Sequence, residues 1–273
     1  MTEASTTAAL DTVRQTARAG APDRYMAALL SPPEHRAGLI ALAAFAADIE
    51  KISSQVTEPQ IGEIRIQWWR DAISADAARS GHPVADELFE AVRRYGLPRV
   101  RIDDFLDAHV HALYADAPAD DAQLQLELDL REGVLFALAA HVLGERDLNP
   151  SHGLIHDAAQ AYGLARLGLS LPYALSRGRV PLPPAYLSDA ANPDWRRAIA
   201  EMSVRARDRL QHVSSAYRAQ PAAVKTALLP LALVEPYLRA LSAGAHDPAR
   251  DVADIAPLTR VWRLAKTHVR GRL

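Results

Sequence analysis

Apolar positions along the chain recur at the three-to-four-residue spacing of amphipathic helices, and no segment alternates with the two-residue period of a strand. Alanine, leucine, arginine and glutamate, which favour helices, dominate the segments between proline and glycine breakers. The pattern predicts helices over residues 5–19, 34–54, 58–79, 84–95, 99–115, 120–144, 151–176, 193–219, 222–243 and 257–270. Since no Gly/Ser linker divides the chain, we expect an all-α, single-domain helical bundle over residues 1–273.

Two of the predicted helical segments are apolar on nearly every face, namely residues 37–49 and 133–143. A helix with this pattern belongs in the centre of a bundle, because every side needs a packing partner. The surrounding helices are amphipathic; for example, Leu88, Val92 and Tyr95 share one face of their helix. The core is therefore expected around the two apolar segments.

Composition narrows the functional classes. The 273 residues include 31 Lys and Arg against 33 Asp and Glu, and this near balance is not that of a dedicated nucleic-acid binder. The absence of cysteine excludes disulfide scaffolds, zinc–cysteine sites, iron–sulfur clusters and cysteine nucleophiles. The sequence shows neither a secretory signal nor an apolar run long enough to span a bilayer. We expect a cytoplasmic protein, with peripheral attachment to the inner membrane as an open alternative.

An acidic cluster is formed by Asp103, Asp104 and Asp107, which fall within one turn of a predicted helix. Such carboxylates can hold Mg²⁺ while a diphosphate fills the remaining coordination positions. A two-sided site would need a second acidic cluster, for which Asp129 and Glu132 are the nearest candidates. The favoured interpretation is a solvated acidic face, so no metal site is assigned.

Two adjacent tryptophans, Trp68 and Trp69, lie on a predicted helix in which Ile61, Ile64, Trp68 and Ala72 form one stripe. Neighbouring residues on a helix cannot both lie along one narrow stripe. One tryptophan could fill the core while the other lines a pocket or a partner surface. Core packing of both is the favoured interpretation.

The predicted C-terminal helix, within the basic segment 257–273, places Leu258, Trp262, Ala265 and Val269 on one face. Segment 257–273 also carries five basic residues, Arg260, Arg263, Lys266, Arg270 and Arg272. This helix could bind an anionic membrane surface. The favoured interpretation is that its apolar stripe packs on the bundle and its charges are solvated.

Two segments of the chain resemble the squalene/phytoene synthase family, the all-α head-to-head prenyltransferases. Residues 25–52 are similar to the opening of that family, with an aromatic residue, a proline before an arginine and an Ala-Phe-rich stretch. Residues 161–183 are similar to its second conserved stretch and end in Arg177-Gly178-Arg179 and Leu182-Pro183. The resemblance spans about residues 23–190 and implies the isoprenoid synthase fold.

The chain departs from the family at both acidic motifs. Read without gaps, the first D-D-x-x-D falls on Glu50, Lys51 and Ser54, and the two aspartates of the second motif fall on Ser170 and Ala174. In family enzymes these carboxylates hold Mg²⁺ ions that bind diphosphates. The degenerate positions imply that the chain has no catalytic residues and no cofactor.

The run T-E-P-x-I-G-E-I-R-x-Q-W-W at residues 57–69 resembles one branch of this family, related to mitochondrial respiratory complex I assembly. That resemblance implies a peripheral membrane role in assembly of NADH:quinone oxidoreductase, whose subunits would be partners, together with an isoprenoid or lipid ligand. Candidate cavity or partner-surface residues are Tyr25, Phe45, Arg65, Trp68, Trp69, Arg166, Tyr173, Arg177 and Arg179.

Two alternatives stay open. The first is an active Mg²⁺-dependent prenyltransferase of the squalene/phytoene synthase type, in which Glu50, Asp103, Asp104 and Asp107 rebuild a metal site. The second is a plain protein-interaction module whose cavity is packed shut, with Trp68 or Trp69 and the C-terminal helix as the partner surface. None of the three hypotheses includes a nucleic acid as a partner.

Overall fold

The computed structural model describes residues 3–56, 58–74, 79–114, 117–187, 193–244 and 246–273, and within these ranges it contains helices and no strand. The helices are α1 (Glu3–Gly20), α2 (Pro22–Leu29), α3 (Pro33–Gln55), α4 (Pro59–Ala72), α5 (Pro83–Tyr95), α6 (Arg99–Tyr114), α7 (Asp121–Leu128), α8 (Val134–Val142), α9 (His152–Leu175), α10 (Trp195–Tyr217), α11 (Ala222–Ala227), α12 (Val234–Leu241) and α13 (Pro257–Arg270). The all-α prediction is confirmed. None of the described helices combines the length and the apolarity needed to cross a membrane.

The chain forms two compact units. The first comprises Met1–Tyr114 and Val134–Asp147, and the second comprises Ala115–Gly133 and Leu148–Leu273. The chain thus leaves the first unit after α6 and returns to it for α8. The assignment of residues 1–273 to a single domain stays a prediction.

The first unit is organised around α3, which packs against α1, α2, α4, α5, α6 and α8. Residues 38–47 of α3 are all buried, and so is most of α8, as their apolar patterns predict. Phe45 has no solvent exposure, and its ring centroid lies 5.3 Å from those of Trp69 and Phe105. This aromatic cluster joins α3, α4 and α6.

The second unit is organised around α9, which packs against α7, α10 and α12. Gly163 permits a close approach, because a Cβ atom there would lie 2.7 Å from Cδ2 of Leu128. The small residues of α9, such as Ala158, Ala161 and Ala165, are fully buried. The unit is therefore held by tight packing of α9 against its neighbours.

Three features of the helix pattern differ from the prediction. Residues 22–29, predicted as a connection, form α2, which starts at Pro22, where its missing N–H costs nothing. The predicted helix 120–144 contains a π-helical turn at Asp129–Gly133, between α7 and α8. The predicted helix 222–243 is interrupted at Leu229–Leu233, because Pro230 lacks an N–H and its ring obstructs the preceding turn.

Candidate functional site

A pocket with a volume of about 540 Å³ lies between α1 and the C-terminal half of α3, within the first unit. Its lining residues are Thr12, Gln15, Thr16, Ala19, Gly20, Ala47, Asp48, Glu50, Lys51 and Ser54. The α1 members follow one another at helical spacing, and so do the α3 members, so each helix turns one face to the pocket. The structure thus brings Glu50, Lys51 and Ser54, the positions on which the family resemblance places the first acidic motif, to one pocket.

The contact between Gly20 and Ala47 sets the distance between the two helices at this pocket. A Cβ atom on Gly20 would lie only 2.5 Å from the Cβ atom of Ala47. Only glycine permits this approach of the two backbones, since any side chain would need space that Ala47 occupies. The lining of the pocket therefore combines small residues at the contact of the two helices, Gly20 and Ala47, with polar residues.

The residues that line the pocket include charges of both signs. Asp48 is half-buried, and desolvation raises the pKa of its carboxyl group above the ordinary value, although the positive charges of His82 and Lys51 act in the opposite direction. Glu50 is half-buried, whereas Lys51 and Ser54 are exposed. The Ser54 hydroxyl donates a hydrogen bond to the carbonyl oxygen of Lys51 at 3.2 Å. Sequence reasoning missed Asp48 as a pocket residue, although its i, i+3 spacing from Lys51 places both on one helix face.

The donor set of the pocket does not fit Mg²⁺. That ion takes carboxylate oxygens together with substrate phosphates, and an ammonium group nearby repels it. Here the carboxylates of Asp48 and Glu50 share the pocket with Lys51, and the Ser54 hydroxyl is hydrogen-bonded to the backbone. In the part of the chain that the structure describes, no three His, Asp or Glu side chains are grouped so as to hold a metal ion.

We expect Asp48→Asn to stabilise the protein at neutral pH by up to about 1 kcal/mol, a modest gain because the carboxyl group keeps part of its solvent contact. The raised pKa means that the folded state favours the protonated acid, so the ionised form costs stability as pH rises above the unfolded-state pKa. The gain should therefore shrink as the pH falls and vanish near about pH 3, where the acid is protonated in both states.

The measurement for Asp48→Asn is urea unfolding at a series of pH values. The matched control is Asp11→Asn, which changes an exposed carboxylate on α1 and should alter stability by less than about 0.5 kcal/mol. A gain for Asp48→Asn that is the same at every pH would contradict the argument.

The two positions on which the family resemblance places the aspartates of the second acidic motif lie on α9, in the second unit. Ser170 is exposed, and its hydroxyl donates to the carbonyl oxygen of Leu167 at 3.1 Å, whereas Ala174 has no polar side chain. Tyr173 and Arg177, near the end of the same helix, are exposed, and Arg179 is half-buried. These positions therefore supply no carboxylate for a metal ion.

Asp129 and Glu132, the candidates for a second acidic cluster facing that of α6, contact side chains of α9. The carboxylate of Asp129 lies 2.7 Å from Nδ1 of His156 and accepts a hydrogen bond of 3.0 Å from Gln160. The buried carboxylate of Glu132 lies 3.6 Å from the guanidinium of Arg166. The π-helical turn thus joins α9 through a polar cluster that sequence reasoning did not predict.

The acidic cluster on α6 is arranged differently from a metal site. Asp103 and Asp104 are half-buried, and the exposed Asp107 forms an ion pair with Arg70 of α4. None of these carboxylates belongs to a metal-binding group of the described residues, and Glu50 lines the pocket beside α1. The side chain of Asp107 thus links α6 to α4.

The prediction that both tryptophans pack in the core is wrong. Trp69 is 3% exposed, whereas Trp68 is 40% exposed and rests its ring against Trp69 and His82, with centroid distances of 5.4 Å. The buried face of α4 is formed by Gly62, Ile66 and Trp69. Ile61 and Ile64 lie on the other side of the helix and remain exposed beside Trp68. We call the three exposed residues Ile61, Ile64 and Trp68 the α4 stripe.

The remaining candidate residues have different surroundings. Tyr25 is half-buried against the core of the first unit, and Phe45 lies inside that core. Arg65 is exposed on α4, next to the α4 stripe.

The prediction that the apolar stripe of the C-terminal helix packs on the bundle is also wrong. Leu258, Trp262 and Val269 are exposed, and α13 buries Arg260 and Leu264 instead. The reason is that Arg260 finds two partners, the hydroxyl of Tyr237 and the exposed carboxylate of Asp254.

The sequence profile described as squalene/phytoene synthase matches residues 17–263. Proteins named "NADH dehydrogenase (ubiquinone) complex I, assembly factor 6" are similar to the chain. The protein from Bos taurus is 29% identical over 79% of this chain and 68% of its own length. The protein from Homo sapiens is 27% identical over the same two shares.

Solved structures share the fold at low sequence identity. The squalene synthase HpnC from Alicyclobacillus acidocaldarius superposes with a TM-score of 0.67 at 15% identity, covering 99% of this chain and 97% of its own. A dehydrosqualene synthase in complex with a ligand gives 0.73 at 12% identity, covering 97% of each chain. The isoprenoid synthase fold implied by the sequence resemblance is confirmed. Because the profile covers most of its length, the chain belongs to the squalene/phytoene synthase family.

Proposed function

We propose that the chain is a non-catalytic member of the squalene/phytoene synthase family that supports the assembly of NADH:quinone oxidoreductase. The observation that carries the proposal is the side-chain set at Glu50, Lys51 and Ser54. The ammonium group of Lys51 and the hydroxyl of Ser54, which is hydrogen-bonded to the backbone, lie where the family resemblance places carboxylates. Such a set cannot neutralise a departing diphosphate through bound Mg²⁺.

The names of the relatives support a role of the chain in the assembly of complex I. Proteins named as complex I assembly factor 6 from four mammals match between 79% and 80% of this chain. The match spans more than two thirds of their own length, so it includes most of both proteins. A member of the fold that assists assembly needs surfaces for partners and has no need of a diphosphate site.

The α4 stripe is the surface to which we assign the subunits of NADH:quinone oxidoreductase. Ile61, Ile64 and Trp68 are exposed together, and exposed apolar groups that lie side by side are typical of protein-binding surfaces. Arg65 is exposed on the same helix and adds a charge beside the stripe. Aromatic and arginine side chains are those that contribute most to binding energy in interfaces. An isoprenoid or lipid ligand is the second part of the proposal, for which a pocket of about 540 Å³ has a suitable size.

The proposal is tested in a strain from which the gene has been deleted. We expect less assembled NADH:quinone oxidoreductase on native gels and an unchanged isoprenoid content. The wild-type chain should restore assembly, whereas Trp68→Ala should restore much less of it, because loss of about 2 kcal/mol at an interface tryptophan weakens binding about thirtyfold. The matched control is Val204→Ala, an exposed apolar residue of α10, which should restore assembly fully.

An enzymatic assay gives the outcome that would overturn the non-catalytic assignment. The purified chain is incubated with Mg²⁺ and farnesyl or geranylgeranyl diphosphate, and the products are extracted and identified. We expect no coupled product. A head-to-head product that disappears in Asp103→Ala and Asp107→Ala would instead establish an active prenyltransferase.

A further inference from the structure

The helix α13 carries its apolar residues on the side that faces solvent. Leu258, Trp262 and Val269 are 82%, 66% and 82% exposed, and Val261 is exposed as well. Together with Ala265 they follow the spacing of one helix face. The resulting stripe is about 16 Å long, from the rise of 1.5 Å per residue. We call these five residues the α13 stripe.

The opposite side of α13 is fixed to the second unit by a buried arginine. Arg260 is only 7% exposed, and its guanidinium donates to the hydroxyl of Tyr237 at 3.2 Å and to the carboxylate of Asp254 at 2.8 Å. Leu264 and Thr267, on the same side, are buried. The helix rests on the 3₁₀ segment Leu229–Leu233. Because a buried charged group resists leaving its partners, the helix cannot easily turn its apolar stripe inward.

Basic residues border the α13 stripe along one edge. Arg263, Lys266 and Arg270 follow one another at spacings of three and four, so they form a row parallel to the stripe. Arg272 adds a further positive charge, and residues 257–273 contain no aspartate or glutamate. The outer surface of α13 is thus an apolar stripe beside a row of cations.

We propose that α13 docks the protein on an anionic phospholipid bilayer. Leu258, Trp262 and Val269 enter the boundary between headgroups and acyl chains, and the row of basic residues contacts the phosphate groups. A helix with a strongly apolar face and a basic flank lies in the plane of the interface, where tryptophan is also favoured. The flexible stems of arginine and lysine let the charges reach the headgroups while the apolar stripe is immersed.

The negative potential at an anionic membrane explains why a bilayer fits the outer side of α13. Each basic residue near such a surface adds to the attraction, and the row of cations has no acidic neighbour on its own helix. Membrane docking is a property separate from the assembly role, and vesicle binding by the purified protein gives an answer whichever way the deletion experiment turns out.

The absence of cysteine permits a direct test of insertion. The full chain with Val269→Cys is labelled with an environment-sensitive fluorophore and mixed with vesicles of phosphatidylcholine and phosphatidylglycerol. We expect the emission to rise and shift to the blue, to respond weakly to phosphatidylcholine alone, and to fall with added salt. Labelled Ser214→Cys, at an exposed position on α10, should not respond.

Unlabelled variants test the two components of the surface by vesicle sedimentation. The double variant Leu258→Ser with Trp262→Ser and the triple variant Arg263→Glu, Lys266→Glu and Arg270→Glu should each bind at least about tenfold more weakly. Both should unfold at the wild-type temperature, since the changed residues lie outside the buried face. Trp68→Ser, an exposed tryptophan on another helix, should bind as the wild type does. Wild-type protein that stays in the supernatant, or variants that bind equally well, would overturn the proposal and leave the α13 stripe to a protein partner.

Discussion

Replacing Phe45 with alanine is expected to lower the free energy of unfolding by about 3–5 kcal/mol, the range for removing a fully buried phenylalanine ring. The ring has no solvent exposure and lies 5.3 Å from both Trp69 and Phe105, measured between centroids. Its removal would leave a cavity between α3, α4 and α6. Since α3 is surrounded by helices, its backbone cannot move inward to fill that cavity.

The comparison for Phe45→Ala is Phe89→Ala on α5. Phe89 is half-buried and contacts Arg93 at its solvent side, with the guanidinium 5.9 Å from the ring centroid. The same chemical change there should cost only about 1 kcal/mol, close to the average of point substitutions. Guanidinium unfolding followed by circular dichroism gives both values. Equal losses for the two variants would show that Phe45 is not at the centre of a closely packed core.

A single methyl group on Gly20 is expected to cost about 1–3 kcal/mol, as overpacking of a filled interface does. The new Cβ atom would lie 2.5 Å from the Cβ atom of Ala47, which cannot rotate away because it is bonded directly to the backbone. The helices α1 and α3 must therefore move apart. Because Gly20 and Ala47 both line the pocket, the substitution should also change the pocket's shape.

Two further variants separate steric conflict from other effects of alanine at Gly20. Gly153→Ala places a methyl group in open space on α9, so its stability should equal or exceed that of the wild type. Gly20→Ala combined with Ala47→Gly should recover part of the loss, because the second change removes the atom that the first one meets. A double-mutant cycle from urea unfolding measures this coupling. Additive losses would contradict the steric explanation.

The helical architecture was predictable because it depends on local regularities. Apolar residues on every face of segment 37–49 predicted its burial, and α3 is indeed the centre of the first unit. Proline placed the starts of α3 and α4, since its missing N–H costs no helical hydrogen bond in the first turn. The family could be inferred in the same way, from motifs whose order along the chain is visible without a structure.

The pocket between α1 and α3 could be predicted only in part. The family resemblance identified Glu50, Lys51 and Ser54, but nothing in the sequence indicated that residues of α1 complete their surroundings. That pairing depends on the contact of Gly20 with Ala47, which are 27 positions apart in the sequence. Asp48 was overlooked because its importance comes from desolvation, which only the packed structure reveals.

The sequence by itself determined which segments are helical, which two are buried on all sides, and to which family the chain belongs. The tertiary structure decided which side of each amphipathic helix is covered. On α4 it covered Trp69 and left Trp68 exposed, and on α13 it covered Arg260 and left Trp262 exposed. The physical reason is that burial depends on the partner surface. A stripe of apolar residues favours burial wherever it occurs, but Arg260 finds partners in the hydroxyl of Tyr237 and the carboxylate of Asp254, and the α13 stripe has no described surface to cover it.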